Sequence, residues 1–497
     1  MKTLLGKVLR SRSVVSGALL YIVMRWFDRL AGVVSTIVLA RLLTPGDFGI
    51  VAIATVVIGL ASVLIDFGIQ VAVVQLRELE REDLDTAWTL RLLQNAAIAA
   101  ILVVSAGWVA ERYHDVRLHP VLVVLALGYL LDGLTGMGAV VFQKRQQYAR
   151  EVAFLMVKRA AGLVVTIALA LWLRNYWALV IGTVMSNVMG VVLSYAMYRV
   201  APRFTLSRWR RFLGASVWLS MHSVAGYASQ QLDKLVVGRR DGAAMLGAYS
   251  IADQVSAMPT SELLAPMNRA LFPAMVAVQG DPPRLRQIFL SALGIQATLA
   301  LPAAIGLALV ARDVVAVMLG ENWSAAAPIM TALALGYGVN ALTHSSIYLL
   351  NSLGRYRTLA LLRSSVVLTL AVLVFVAFPT SAAIEIAWFR AGTGGLTVGL
   401  VVWLTMRNLP GVRVADMARE VIRPTLAALA MACGVAWVAG AMAGLAPWVR
   451  LAGTIGTGAV VYAACLVALW RLAGRPEGTE RWALEKFQAA LRAAGRR

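Results

Sequence analysis

The chain has 497 residues, of which 60% are hydrophobic and only 14% are charged. This composition excludes a soluble globular protein and predicts an all-α polytopic membrane protein. The net charge of +21 at first suggests a nucleic-acid partner. However, the basic residues collect between hydrophobic segments, so we expect no nucleic acid and assign the basicity to topology and to anionic membrane lipids.

Hydropathy predicts about 14 membrane-spanning helices, each long enough to cross a bilayer. In chain order, the predicted spans cover residues 13–40, 48–72, 87–110, 120–141, 152–173, 176–198, 212–238, 246–272, 286–310, 325–350, 358–378, 381–404, 423–443 and 449–470.

The basic residues are distributed unequally between the two sides that these spans define. Most of the 46 Lys and Arg residues lie in segments that are cytoplasmic if the N-terminus is cytoplasmic. The basic residues of the outside loops are Arg41, Arg112, Arg117, Arg174, Arg239, Arg240, Arg312 and Arg450. The asymmetry predicts a multi-pass protein of the cytoplasmic (inner) membrane with both termini in the cytoplasm.

The first predicted span contains a charged stripe. Arg25, Asp28 and Arg29 lie within an arc of about 100° on a helical wheel, with Trp26 and Phe27 outside it. Each ionised side chain near the bilayer centre costs roughly 2.5–3.5 kcal/mol on insertion scales. We therefore expect the stripe to face protein or a water-filled cavity, and we take it as the first candidate for a functional site; the alternative is a static ion pair between helices that fixes their packing.

The seventh predicted span has a polar face as well. His222, Gln230, Asp233 and Lys234 lie on this face, and we interpret them as further cavity residues. Two structural alternatives stay open. His222 can be a hydrogen-bonded packing residue, and Asp233 with Lys234 can be a structural pair.

Other spans also carry charges. Asp253 and Glu262 on the eighth span are candidates for binding a coupling ion, or they are structural charges. The remaining charges inside predicted spans are Asp66, Arg91, Asp132, Lys158, Arg159, Arg269, Glu385 and Arg390. Several lie near cytoplasmic span ends, where long side chains can snorkel to the interface. We expect no metal site and no catalytic residues.

A weak internal repeat relates the two halves of the chain. Leu39–Ala54 aligns without gaps on Val237–Ala252, so that Arg41 matches Arg239 and Gly49 matches Gly247. Both segments are predicted outside hairpins, after the first and the seventh span. We predict two six-helix lobes related by a parallel pseudo-two-fold repeat, plus two extra C-terminal helices, with a substrate path between the lobes.

The repeat predicts the following domain organisation. Residues 1–198 form an N-terminal lobe, 199–406 a C-terminal lobe, 407–471 a two-helix extension, and 472–497 a cytoplasmic tail. The tail can form an amphipathic helix on the inner leaflet, because its apolar residues can share one face. It can equally be solvated and frayed.

The first hairpin carries a recognisable motif. Ala40–Gly49 reads ARLLTPGDFG, and it is followed by Asp66–Ile69, Phe142–Arg145 and Leu350–Arg355, which read DFGI, FQKR and LNSLGR. These segments resemble Wzx-type polysaccharide flippases of the multidrug/oligosaccharidyl-lipid/polysaccharide exporter (MOP) superfamily.

The resemblance implies a flippase that moves undecaprenyl-diphosphate-linked oligosaccharide repeat units from the inner to the outer leaflet for surface polysaccharide assembly. It implies alternating access, no cofactor, and polysaccharide polymerase and chain-length machinery as partners. In such relatives, arginines of the first span help to line a cationic cavity, and Arg25 and Arg29 occupy a comparable place. Arginine offers paired donors to phosphate oxygens and stays charged when partly desolvated.

Three alternatives differ in function. A peptidoglycan lipid-precursor flippase of the same superfamily fits the predicted number of spans. A cation-coupled multidrug antiporter of the same fold would require an acidic cavity, whereas the first span has two arginines and one aspartate. A membrane polymerase or ligase would require a large outside loop, which the predicted topology lacks, so we expect a transporter and not an enzyme.

Overall fold

A computed structural model describes residues 14–65, 68–76, 78–198, 200–212 and 217–474. These residues form helices and connecting turns, and none of them lies in a strand. The helices are α1 (Val14–Leu42), α2 (Pro45–Ile65), α3 (Ile69–Gln75), α4 (Arg81–Arg112), α5 (Leu118–Gly133), α6 (Gly138–Lys144), α7 (Tyr148–Leu173), α8 (Trp177–Met197), α9 (Val217–Arg240), α10 (Gly242–Ala277), α11 (Pro282–Val314), α12 (Ala326–Ala341), α13 (His344–Ser352), α14 (Tyr356–Val372), α15 (Ala383–Asn408), α16 (Val414–Ala441) and α17 (Pro447–Leu472). Asp66, Phe67 and the predicted tail beyond residue 474 lie outside the described residues.

The predicted all-helical membrane architecture is confirmed at the level of the helices. Among the described residues, 10 helical segments are long and apolar enough to cross a membrane, and α5 with α6, bent by 53°, would be an eleventh. Helices α1, α9 and α10 are not among them, and these are the helices that carry all the predicted site residues. Their polar side chains remove the hydropathy signal, so the full number of fourteen spans stays a prediction.

The chain divides into two compact units, Met1–Gly247 and Ala248–Arg497. In the first unit, α4 packs against α5, and α7 packs against both α1 and α8. In the second unit, α11 packs against α12, α16 and α17. The predicted lobe boundaries at residues 198 and 406 stay a prediction.

The hairpin between α1 and α2 is shaped by a reciprocal cap. The Thr44 amide donates to the Asp47 carboxylate at 2.9 Å, and the Asp47 amide donates to the Thr44 hydroxyl at 3.3 Å. Pro45 occupies the first helical position, where its missing N–H costs nothing. Asp47 also accepts from the Tyr176 amide next to α8 at 3.1 Å. The Thr-Pro-Gly-Asp sequence therefore fixes the start of α2 and ties it to α8.

The segment between α8 and α9 is bound to the start of α4. Arg208 lies 2.6 Å from Glu80, 3.0 Å from Glu82 and 3.4 Å from Asp83. Phe212 is buried in an apolar cluster of this unit. Arg211 also lies 3.2 Å from Asp83, so two guanidinium groups and a buried aromatic side chain hold this connection within the first unit.

We expect Arg208→Ala to loosen this connection and to increase the rate of tryptic cleavage at Arg203 several-fold. Acidification should also loosen this connection. The hydrogen bond from Arg208 holds the pKa of Glu80 below its usual range. The stabilisation is therefore present at neutral pH and is lost as the pH falls through that lowered pKa. Limited proteolysis measures the effect, and Arg210→Ala, which removes a cation that stacks on Trp209, is the control.

In the second unit, ion pairs join the C-terminal helices to α11. Arg286, near the start of α11, lies 2.9 Å from Asp416 of α16. Arg450 of α17 forms a bidentate pair with Asp313 at the other end of α11. These contacts at the two ends of α11 fix α16 and α17 on its surface.

Candidate functional site

Helix α1 presents different faces to its surroundings. Its exposed apolar side chains are Ile22, Val23, Trp26, Leu30 and Val34. On a helical wheel these residues occupy one side, and the predicted charged stripe lies on another. The side of α1 that carries the stripe faces α7. Tyr21 of α1 and Tyr148 of α7 make an edge-to-face contact there, with 5.9 Å between the ring centroids. The side of α1 that carries Tyr21 and Asp28 thus contacts α7.

Asp28 of the stripe forms an ion pair with Arg159 of α7. The Asp28 carboxylate lies 3.1 Å from the Arg159 Nε, and the two side chains are 58% and 56% exposed. Asp28 is about 20 Å along α1 from its start, deep within the predicted span. The pair therefore lies at the exposed edge of the contact between α1 and α7. Arg25 and Arg29 are half-buried on the same helix.

The fourth predicted span is broken, and the residue just before the break contacts the same helix, α7, as Asp28 does. Helix α5 ends at Gly133 and α6 begins at Gly138. Side chains bind the backbone groups that the break releases: the Tyr195 hydroxyl donates to the Leu134 carbonyl at 2.8 Å, and the Gly136 amide donates to the Ser194 hydroxyl at 2.9 Å. Non-helical backbone at membrane depth requires such partners.

The break holds a carboxylate between two cations. Asp132 lies 2.8 Å from Arg91 of α4 and 3.0 Å from Lys158 of α7. The exposed fractions of the three side chains are 22%, 17% and 25%. Lys158 is adjacent in sequence to Arg159, so α7 directs one cation to Asp132 and the next to Asp28. We call Arg25, Asp28, Arg29, Arg91, Asp132, Lys158 and Arg159 the cationic cluster.

The cationic cluster has an excess of positive charge. It contains five cations and two carboxylates, which leaves a net charge of +3. Guanidinium groups bind phosphate oxygens through paired donors. Five of the seven ionisable groups in the cluster are basic, and four of these are guanidinium groups.

The predicted residues of α9 lie in the same unit as the cluster, on a helix that packs against α2. Tyr227 of α9 donates to the Val56 carbonyl at 2.7 Å, and its ring lies against Gly59. Gln230 is exposed, Asp233 is buried and Lys234 is half-buried. His222 lies on α9, but its side chain is outside the described part. The contribution of these four residues to one cavity with α1 stays a prediction.

In the second unit, Asp253 is part of an ion network. Its carboxylate lies 3.1 Å from Arg390 of α15 and accepts from the Tyr337 hydroxyl of α12 at 2.7 Å. Arg390 also donates to that hydroxyl at 2.9 Å. The network joins three helices and neutralises the carboxylate. Glu262, the other predicted coupling residue, is half-buried on α10.

Sequence reasoning did not assign Lys158, Arg159, Arg91 and Asp132 to the site, and treated charges of this kind partly as snorkelling residues. The structure pairs all four inside the first unit. A signal was present, because two consecutive cations at 158 and 159 lie far from both ends of α7. Snorkelling cannot bring both to an interface, so at least one needs a partner within the protein.

The fold and the site define a multi-pass membrane protein whose first unit holds a cationic cluster. Residues 38–328 match the family described as "Polysaccharide biosynthesis protein", and the chain belongs to this family. The predicted resemblance to polysaccharide flippases is thereby confirmed.

Curated relatives and solved structures agree with this assignment. The chain is 26% identical over 380 residues to the lipopolysaccharide biosynthesis protein WzxC of Escherichia coli K12, covering 75% of this chain and 74% of WzxC. It is also 26% identical over 313 residues to the succinoglycan biosynthesis transport protein ExoT of Rhizobium meliloti, covering 61% and 62% of the two chains.

Among solved structures, the lipid II flippase MurJ in an inward closed conformation matches with a TM-score of 0.74 at 12% identity, covering 92% of this chain and 100% of MurJ. An inward-facing multidrug resistance MATE transporter of the MOP superfamily matches with a TM-score of 0.60 at 13% identity, covering 77% of this chain and 94% of the transporter. At these identities the likeness is one of fold.

Proposed function

We propose that the protein is a flippase that moves undecaprenyl-diphosphate-linked oligosaccharide repeat units from the inner to the outer leaflet of the cytoplasmic membrane. The observation that carries the proposal is the net positive charge of the cationic cluster beside the open Asp28–Arg159 pair. Family membership supports a role in surface polysaccharide assembly. The diphosphate and the sugars of such a lipid cannot cross hydrocarbon unaided, and the diphosphate is the charged part.

In the proposed cycle, Arg25, Arg29 and Arg159 hold the diphosphate. Asp28 competes with the diphosphate for Arg159, so it neutralises the arginine when cargo is absent and is displaced when cargo binds. The exchange replaces one charge-assisted pair by another, which avoids leaving a guanidinium uncompensated in the membrane. The sugars occupy a polar cleft to which Gln230 contributes, and the polyprenyl chain stays in lipid.

Alternating access of two lobes, with the predicted boundaries, provides the change of sidedness. Both termini are cytoplasmic in this proposal, and polymerase and chain-length machinery receive the cargo outside. Asp253 and Glu262 stay proposals as coupling residues. For Asp253, the Arg390 guanidinium already supplies the positive charge that a coupling cation would bring.

Two other functions remain alternatives to this proposal. A peptidoglycan lipid-precursor flippase would use the same diphosphate chemistry, and the likeness of fold to MurJ supports it. A cation-coupled multidrug antiporter shares the fold, but its positively charged cargo would be repelled by a cluster of this sign.

Deletion of the gene followed by complementation tests the proposal. We expect the deletion strain to lose surface polysaccharide and to accumulate lipid-linked repeat units on the inner side. Arg25→Ala and Arg29→Ala should each fail to restore export at normal expression, whereas Arg117→Ala, which removes a loop cation paired with Asp115, should restore it. Full rescue by both stripe variants would contradict the diphosphate site, and accumulation of peptidoglycan precursor with lysis would favour the first alternative.

A further inference from the structure

The second unit contains an apolar cavity near the first turns of α11 and α16. The cavity has a volume of about 200 Å³ and lies between α11, α13, α15 and α16. Its apolar walls include Phe289, Leu293, Val398, Val402, Met417 and Val421. Two polar side chains also line it, but both are bonded within the protein. The Thr343 hydroxyl donates to the Asn340 carbonyl at 2.7 Å, and the Ser346 hydroxyl accepts from Thr405 at 2.9 Å. Because water needs polar partners, this lining favours hydrocarbon.

The mouth of the cavity lies on the first turn of α16. Val414 and Ala418 line the cavity one turn apart, and both are exposed, Val414 to 54%. All charged residues of α16 lie within its first ten residues, and its remaining 18 residues are uncharged. Those 18 residues span about 27 Å, close to the roughly 30 Å of bilayer hydrocarbon. The first turns of α16, and the mouth with them, therefore lie at the level of the headgroups, on the cytoplasmic side in the predicted topology.

Arginine side chains surround the mouth. Arg413 directly precedes Val414, Arg419 directly follows Ala418, and both arginines are exposed. Arg286, one turn before the lining residues of α11, donates to Asp416 at 2.9 Å. The first ten residues of α16, together with the first and third of these arginines, contain four arginines and two carboxylates, which leaves a net charge of +2. The mouth is therefore suited to a phosphate group.

The two parts of the site match the two parts of an anionic phospholipid. Basic pockets between membrane helices on the cytoplasmic side bind anionic headgroups, and the apolar cavity would hold hydrocarbon. The cavity is lined wholly by the second unit, whereas the cationic cluster belongs to the first. It is therefore a different site from the one proposed for the diphosphate of the cargo.

We propose that this cavity binds one anionic phospholipid of the inner leaflet, with an acyl chain in the cavity and the phosphate on Arg286, Arg413 and Arg419. This inference rests on the predicted topology for its side of the membrane and does not depend on transport. The bound lipid would join α11, α15 and α16, because its chain contacts all three and its phosphate bridges α11 and α16.

Photolabelling of the unaltered protein tests the occupant. The probe is phosphatidylglycerol with a diazirine in its acyl chain, added to protein in phosphatidylcholine nanodiscs, and the labelled residues are mapped by mass spectrometry. We expect adducts on Phe289 and Met417, roughly tenfold more than from phosphatidylcholine with the same chain. Equal labelling by the two lipids would overturn the proposal.

Two competitors separate the phospholipid from other sources of phosphate. Undecaprenyl diphosphate and inorganic phosphate, each in excess, should leave the labelling unchanged. Displacement by undecaprenyl diphosphate would assign the cavity to the chain of the cargo, and displacement by inorganic phosphate would show a site for free anions. Either result contradicts a phospholipid site.

Charge variants test the rim. Arg413→Gln and Arg419→Gln should each lower the labelling by phosphatidylglycerol about fivefold, and the double variant should lower it by roughly tenfold or more. Arg407→Gln is the matched control. Arg407 is also exposed near this end of the second unit, but it stacks on Trp403 and lies about 180° from Val398 around α15. An equal fall in the Arg407 and Arg413 variants would indicate only general attraction to the inner surface and would refute a specific rim.

A bulky side chain tests entry of the acyl chain through the mouth. Ala418→Trp should block the mouth and lower the labelling of Phe289 by roughly tenfold, because the indole occupies the space of the chain. Ala415→Trp, at an equally exposed position on the same turn, should label normally. Both proteins are compared after gel filtration. Undiminished labelling of the folded Ala418→Trp protein would show that the chain does not enter here.

Discussion

Of the two residues in the Asp28–Arg159 pair, only Arg159 should be required for export. Arg159→Gln removes a cation that the proposed cycle uses to bind diphosphate. A charged hydrogen bond contributes about 1.5–3 kcal/mol, so we expect roughly a 10- to 100-fold loss of transport. Asp28→Asn removes the competitor of the diphosphate and should leave transport unchanged or raise the affinity for cargo. Flipping of lipid-linked oligosaccharide in proteoliposomes measures both.

The double variant Asp28→Asn/Arg159→Gln distinguishes binding from packing. If Arg159 binds cargo, the double variant is as inactive as Arg159→Gln alone. If the pair is only a static link between α1 and α7, the two single variants lose activity alike and the double variant recovers it, because no charge is left without its partner. Arg174→Gln, beyond the end of α7, is the matched control and should transport normally.

Removing the carboxylate of Asp132 should produce the largest loss of stability. Asp132→Asn leaves Arg91 and Lys158 together in a mostly buried site without an anion. Breaking a buried pair in this way costs about 3–5 kcal/mol in free energy of unfolding. Unfolding in detergent, followed by circular dichroism, measures the change.

The control for this measurement is Asp115→Asn. Asp115 also pairs with an arginine at 2.8 Å, but Arg117 is 49% exposed in a loop, and exposed pairs contribute about 0–1 kcal/mol. Equal losses in the two variants would contradict a buried ion triad. A triple variant, Asp132→Leu with Arg91→Met and Lys158→Met, should regain stability because it leaves no charge.

Much of this protein follows from its sequence alone. The helical wheel of the first span identifies the charged stripe, and its apolar face is exposed as expected. The Thr-Pro-Gly-Asp hairpin carries its own cap in its residue types. These features are local, because they depend on 3.6 residues per turn and on partners three residues apart.

The tertiary structure decided which helix faces which. Periodicity gives the direction of a side chain about its own helix axis, but it does not identify the helix that packs against that side. The ion pair of Asp28 with Arg159 of α7 was therefore not predictable. The same holds for the break after Gly133, whose backbone groups are bound by Ser194 and Tyr195 from a distant helix. A faint repeat of the sequence related Gly49 to Gly247, but only packing brought each of them against the other's hairpin. The physical reason is that charge and periodicity are properties of a segment, whereas ion pairs and close backbone contacts belong to two segments at once.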